Sequence, residues 1–291
     1  MRFGVDIGGT NIKFVVVDGE DIKYKNCIDT PKGGDKLVQA IADEYNKVSE
    51  EYRIEKMGVG IPGDVRNGVV LCASNLGLDN FPLAKKLTEF VEIPVKIAND
   101  ADCAAMGEEM FGATKDCDNM VLVTLGTGIG GGVILNRKIM QTNKCSGEIG
   151  HIIIEMNGRQ CTCGEKGCWE PYGSITALVK DAEKAADENP DSILANIYKR
   201  EGRMSGRLFF EALDKGCIVA NKVFDTYLDY LATGIKSINM VFGPDAIVLA
   251  GGITKEGEKI LKPLRKKLRA DIRLEVSVLQ SDAGSLGAAM L

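Results

Sequence analysis

The chain contains a single histidine, and it stands at the head of the segment that most constrains the fold. His151 is followed by Cys161, Cys163 and Cys168 in the spacing H-x9-C-x-C-x4-C. Three thiols and one imidazole within eighteen residues form a complete tetrahedral ligand set for zinc. The stretch CTCGEKGC is glycine-rich and can fold back tightly enough to bring the thiols together. A catalytic zinc keeps a position for water, whereas four protein ligands close the sphere, so the metal reads as structural. Two acids bracket the set, Glu148 before the first ligand and Glu170 after the last. A metal here would pin both carboxylates.

The rest of the chain bounds the class. Its 291 residues, 45% hydrophobic, suffice for two lobes rather than one. The net charge of -5 argues against nucleic acid or an anionic membrane surface as partner. The one basic run, KPLRKKLR at 262–269, has the spacing of a solvated helix face. Nine cysteines, an odd count, with no signal-peptide pattern ahead of the first strand, lead us to expect a cytoplasmic protein with reduced thiols. No apolar run approaches the ~20 residues that span a bilayer. Cys27, Cys72, Cys103, Cys117, Cys145 and Cys217 read as small core or surface residues.

Strands and helices alternate, which predicts an α/β fold. Residues 2–19 read as strand, Gly8-Gly9 turn, strand; 35–49 as a helix; 57–63 and 92–100 as buried strands; 100–112 as a helix. Residues 120–136 repeat the first plan: with Asp6 set on Thr124, Gly8 falls on Gly126 and Thr10 on Gly128. Helical spacing recurs over 174–187, 190–200, 205–215 and 217–241. A strand over 244–253 ends in Gly251-Gly252, followed by a helix at 255–269, a strand at 273–278 and a small-residue helix start at 281–291.

Glycine lets backbone N–H groups approach an anion, so DIGGT (6–10), GTGIGGG (126–132) and AGG (250–252) together point to a nucleotide triphosphate. Asp6 suits an indirect magnesium partner. The string GTGIGG fits the dinucleotide fingerprint, but strand residues follow it where a helix is required, so that reading is rejected. Asn99-Asp100 closes a strand and opens a helix, where Asp100 could be a helix N-cap or the base that takes a proton from a substrate hydroxyl. Asn99, Glu148 and Glu170 offer polar groups for a polyol.

These motifs, with GVGIPGDV (58–65), ANDADCAAMGE (98–108), GEIGH (147–151), CTCGEKGCWE (161–170), GPDAIVLAGGI (243–253) and AGSLGAAM (283–290), resemble the ROK family of sugar kinases and repressors almost end to end. The resemblance implies a two-lobed actin-like ATPase (ribonuclease H-like) α/β fold with a duplicated β-hairpin/α unit and a cleft between lobes. A small lobe is expected over 1–112 and a large lobe carrying the zinc loop over 113–291, with 281–291 returning toward the small one. Position by position, Asp6, Gly8, Gly9, Thr10, Lys13, Thr127, Gly128, Gly130, Gly251 and Gly252 are the implied nucleotide contacts. Asp100 is the implied catalytic base. Gly63, Asn75, Asn99, Asp100, Glu148, His151 and Glu170 are the implied sugar contacts, and His151, Cys161, Cys163 and Cys168 the zinc ligands. His151 would serve metal and sugar through different ring nitrogens.

The chain departs from the family pattern at Arg137, Gln141 and Lys144, where glycines are usual, and at Leu78, where tryptophan is frequent. A shorter final helix is also expected. The implied activity is ATP- and magnesium-dependent phosphorylation of a hexose, with glucose favoured as the family's commonest substrate. N-acetylmannosamine, N-acetylglucosamine, allose or fructose are alternative acceptors, and polyphosphate an alternative donor. A repressor carries a helix-turn-helix ahead of DIGGT, which here begins at position 6; that reading and a silent sugar-binding module rank below the kinase. A homodimer is expected.

Overall fold

The run Phe14–Val17 lacks the apolar–polar alternation of a half-exposed strand, a pattern that suits a strand covered on both faces. Both faces are covered in the computed structural model of the chain, which describes residues 1–140 and 147–291. Phe14 and Val16 enter a core with Leu37 and Ile41, while Val15 and Val17 pack with Leu286 and Ala289. Gln141, Lys144 and Cys145 lie outside the described residues.

In chain order the first elements are β1 (Arg2–Ile7), β2 (Asn11–Asp18), β3 (Asp21–Asp29), α1 (Gly34–Ser49), β4 (Lys56–Ile61), β5 (Asp64–Arg66), β6 (Val69–Ala73), β7 (Leu78–Phe81), α2 (Leu83–Leu87), β8 (Val95–Asn99) and α3 (Asp100–Phe111). Then follow β9 (Met120–Leu125), β10 (Ile129–Leu135), β11 (Lys138–Ile139), α4 (Glu170–Gly173), α5 (Ile175–Glu188), α6 (Ile193–Glu201), α7 (Gly206–Asp214), α8 (Ile218–Phe242), β12 (Ala246–Ala250), α9 (Glu258–Lys267), β13 (Leu274–Val276) and α10 (Ala283–Ala288). Two five-stranded sheets have the orders β3-β2-β1-β4-β8 and β11-β10-β9-β12-β13. Among the described residues no helix is long and apolar enough to cross a membrane.

The chain divides into two compact units. Unit 1 comprises Met1–Leu122, Gly131–Gly147 and Ser277–Leu291; unit 2 comprises Val123–Gly130 and Glu148–Val276. In unit 1, β1 and β4 run parallel, as do β4 and β8, with Asp6 opposite Gly60 and Ile61 opposite Asn99. Parallel neighbours present their C-terminal ends together, which is where open α/β sheets hold ligands. Asp6, Ile61 and Asn99 all stand at such ends.

The second face of this sheet is covered by α10, at backbone distance. A Cβ on Gly58 would lie 1.8 Å from the Ala288 carbonyl oxygen, and one on Gly287 1.7 Å from that of Cys103 in α3. No residue but glycine fits either place. The approach to α10 is fixed by Glu108, a wholly buried acid of α3. Its Oε1 accepts the Ser277 hydroxyl and the Leu279 N–H at 3.0 Å, and its Oε2 accepts the Ala113 N–H at 3.0 Å. The adjacent Glu109 is equally buried and lies 2.6 Å from the Arg137 guanidinium. Burial pushes the Glu109 carboxyl up and Arg137 opposes that shift. Arg137 holds a left-handed φ of 60°, which accounts for a glycine being usual there.

Sequence periodicity located most elements within a few residues. The sheet β5-β6-β7 was not expected, because its strands of three to five residues are too short to show a period. Its one signal is Asn67-Gly68, a two-residue hairpin turn with φ of 49° and 78°. In unit 2, serine N-caps open α5, α6 and α7: Ser174, Ser192 and Ser205 accept from the N–H groups of Ala177, Ala195 and Leu208.

Replacing Glu108 with Ala would strand the buried Ser277 hydroxyl and the partly buried N–H groups of Leu279 and Ala113. A loss of about 3 kcal/mol or more is expected in urea unfolding, because each unpaired buried donor costs roughly 1–3 kcal/mol. A loss below ~1 kcal/mol would contradict the clamp.

Candidate functional site

In unit 1 the turn between β1 and β2 closes on Gly8, whose N–H donates to the Asn11 carbonyl at 2.8 Å. Thr30 ties the turn down twice: its N–H donates to the Thr10 carbonyl at 2.9 Å and its hydroxyl to the Gly8 carbonyl at 2.7 Å. Gly9 and Thr10 are exposed, and a Cβ on Gly9 would meet nothing within 4 Å, so the turn offers open backbone. Lys13 stands opposite Asp6 in the ladder and donates to the Ser281 carbonyl.

Asp6 lies against the backbone of Gly284, where a Cβ would come within 2.7 Å of its carboxyl carbon. Burial pushes its carboxyl from the ordinary 3.8 up to about 6; Lys13 opposes this, and the charges of Asp100 and Asp282 add to it. Asp282 itself pairs with Lys25 at 2.6 Å. The return of 281–291 toward the small lobe was expected, but not that Asp282 and Gly284 would stand beside Asp6.

The strand end of β8 removes one of the two alternatives for Asp100. The N-cap of α3 is Asn99, not Asp100: Asn99 Oδ1 accepts the Ala101 N–H at 2.8 Å. The Asn99 amide also donates to the Gly63 carbonyl at 2.9 Å, joining two expected sugar contacts. Asp100 is the first helical residue, and its Oδ1 also lies 2.9 Å from the Ala101 nitrogen. Burial pushes its carboxyl up, against the backbone N–H groups of Ala101 and Asp100. A raised carboxylate is a better proton acceptor. Gly63 takes φ of 107°, and Asn75 is exposed in a 3-10 turn at Ser74–Leu76.

In unit 2 the four sulfur and nitrogen donors come together. One ligand atom from each of His151, Cys161, Cys163 and Cys168 lies within 4.8 Å of all the others. His151 Nδ1 is 3.5 Å from Cys161 Sγ, and Cys163 Sγ is 3.6 Å from Cys168 Sγ. Tetrahedral zinc with thiolates at about 2.3 Å separates them by roughly 3.8 Å, so the residues fit the ion. Nδ1 faces the thiols, which leaves Nε2 as the second nitrogen. Burial pushes the Cys168 thiol up to about 12, a penalty that a cation among the donors would offset. The loop is held by bonds from the Ile154 and Glu155 N–H groups to the Gly167 carbonyl and from the Trp169 N–H to the Ile152 carbonyl.

The second glycine turn lies in the same unit. The Gly126 N–H donates to the Gly128 carbonyl at 3.0 Å, and the Gly130 N–H to Thr124 Oγ1 at 3.1 Å. Thr127 is exposed at its tip. Glu170 Oε2 accepts the Ile129 N–H at 3.0 Å, a partner that sequence reading did not foresee. Glu148 is exposed, and its carbonyl accepts the His151 N–H at 3.0 Å. At the end of β12, Gly251 takes φ of 102° against the Leu125 carbonyl, and Gly252 is open.

A family model described as the ROK family matches residues 2–291. A glucokinase of Halalkalibacterium halodurans is 35% identical over 99% of this chain and 93% of its own. A ROK family glucokinase from Streptomyces griseus, solved in complex with glucose and AMPPNP, is 34% identical with a TM-score of 0.80 over 99% of this chain and 98% of that one. A ROK hexokinase from Thermus thermophilus is 31% identical with a TM-score of 0.85 over 99% and 96%.

The Asp6 carboxyl yields a sign-specific prediction. Its pKa is higher folded than unfolded, so the folded state binds the proton more tightly and stability falls as pH rises from 3.8 through about 6. Above that range the penalty is complete. Asp6→Asn removes it and should raise Tm clearly at pH 7.5 and much less at pH 4.5, measured without nucleotide. Equal shifts at both pH values would refute the burial argument.

Proposed function

The chain belongs to the ROK family, and from that premise we propose that it is an ATP-dependent hexose kinase that phosphorylates the 6-hydroxyl of glucose. The observation that carries the mechanism is Asp100, a half-buried carboxylate with a raised pKa where β8 ends and α3 begins. Asp100 accepts the proton of the sugar hydroxyl as its oxygen forms a bond to the γ-phosphorus, and the bond to the ADP oxygen breaks. The proton ends on Asp100 and the leaving electron pair on ADP. The barrier is lowered chiefly by positioning and by fixed donors.

The proposal assigns phosphate contacts to Gly8, Gly9, Thr10 and Lys13 and to Thr127, Gly128 and Gly130, with Gly251 and Gly252 at the adenosine. Magnesium would neutralise phosphate charge, with Asp6 holding its waters. Sugar hydroxyls are assigned to Gly63, Asn75, Asn99 and Asp100 and to Glu148, His151 and Glu170. His151 would give Nδ1 to zinc and Nε2 to a hydroxyl, an assignment supported by the 3.5 Å approach of Nδ1 to Cys161. Zinc supplies no open coordination position when bound by all four donors; its part is to fix the loop. The same proposal includes a cytoplasmic homodimer.

Three measurements test it. ADP release across a panel of hexoses and N-acetylhexosamines should be strongest with glucose; silence on every sugar would sink the kinase. Asp100→Asn should leave glucose affinity near normal while turnover falls about 10³-fold, within the usual loss of a general base. Removal of the metal by a chelator should weaken glucose binding, and an unchanged affinity in metal-free protein would separate the zinc loop from the sugar.

A further inference from the structure

Glu170 enters the proposed chemistry as a sugar ligand, yet its partner in unit 2 is the glycine turn. Its Oε2 accepts the Ile129 N–H at 3.0 Å. The carboxylate also lies so close to Gly128 that a Cβ there would stand 2.2 Å from Oε2 and 3.0 Å from the carboxyl carbon. One polar and one steric contact thus seat the carboxylate on the turn 126–129. Its backbone is held from the other side. Cys168 belongs to the four-donor cluster, and Trp169 is wholly buried, its Nε1 donating to the Tyr230 carbonyl at 2.9 Å. The Pro171 carbonyl accepts the Arg159 guanidinium at 2.9 Å, and the Ser174 N–H donates to the Glu170 carbonyl at 3.1 Å.

We infer that Glu170 is a positioning residue for the phosphate-binding turn 126–129, through which the metal-ligating loop sets the nucleotide site. The inference rests on the proposed function, which makes that turn a phosphate cradle. A cradle binds well when its N–H directions are fixed before the ligand arrives, because ordering them afterwards subtracts from affinity. A charged acceptor on the Ile129 N–H fixes the peptide next to Gly128 and is stronger than a neutral one. The negative charge alone would repel a triphosphate; the two contacts argue that the ordering outweighs the repulsion.

The test is titration calorimetry of magnesium AMPPNP with no sugar present, so that a role confined to sugar binding moves nothing. Glu170→Ala should weaken AMPPNP about tenfold or more, the size expected for loss of a charge-assisted bond. Glu170→Gln keeps an acceptor oxygen and should return to within about threefold of the parent. Gly128→Ala pushes the carboxylate off the turn and should reproduce the loss with Glu170 still present. It carries the test if Glu170→Ala fails to fold, as judged by bound metal and circular dichroism. AMPPNP affinity equal to or tighter than the parent's in Glu170→Ala would overturn the inference and leave the kinase reading intact, whatever Gly128→Ala does, since Gly128 is itself a proposed phosphate contact. A parent protein that binds no AMPPNP and releases no ADP with any hexose would remove that reading and the inference together. Weakened AMPPNP with unchanged glucose affinity in Glu170→Ala would support the inference while taking Glu170 off the sugar.

Discussion

Unit 1 depends on a contact between backbones. Helix α10 sits on β4 and α3 with no side chain between, because Gly58 and Gly287 leave none. Such an approach contributes dispersion over a wide area but tolerates no added methyl group. It is also what sets the environment of Asp6, whose carboxyl rests on Gly284 and whose ladder partner Lys13 reaches the Ser281 carbonyl. The raised carboxyl of Asp6 follows from the burial that this packing creates. Glu108 fixes the segment that delivers α10, so a buried acid with no place in the chemistry governs where the chemical acids stand.

Unit 2 is organised by another kind of constraint. The four-donor cluster, Trp169 and Glu170 are consecutive parts of one segment, and each is tied to a different partner. Trp169 reaches α8, where a Cβ on Gly234 would stand 2.0 Å from its ring. The loop, the long helix and the glycine turn therefore hold a common register.

Much of this was legible in the sequence. The lone histidine and its three cysteines announced the cluster because soft donors at short spacing have few other uses. Helices α5 to α8 declared themselves through period; the serine caps of three of them were there to be read as well. What stayed hidden depends on residues far apart in the chain. Nothing local marks Glu108-Glu109 as buried, yet both are, because their partners come from 277–279 and from Arg137. The Asn99 cap could not be told from an Asp100 cap, since both residue types favour that position. Likewise, nothing local in Glu170 tells that its carboxylate serves Ile129, forty-one residues earlier.

The order of the segments in unit 1 bears on synthesis. Its first strands are made at the start of the chain, but Ser277–Leu291 emerges only after the whole of Glu148–Val276. During translation the face of β1 and β4 that α10 will cover stays bare while more than a hundred residues of unit 2 are made. Long-range closure of this sort is slow and leaves apolar surface open to other chains. Val15 and Val17 are on that waiting face, so their cover of Leu286 and Ala289 is among the last contacts of unit 1 that synthesis makes possible.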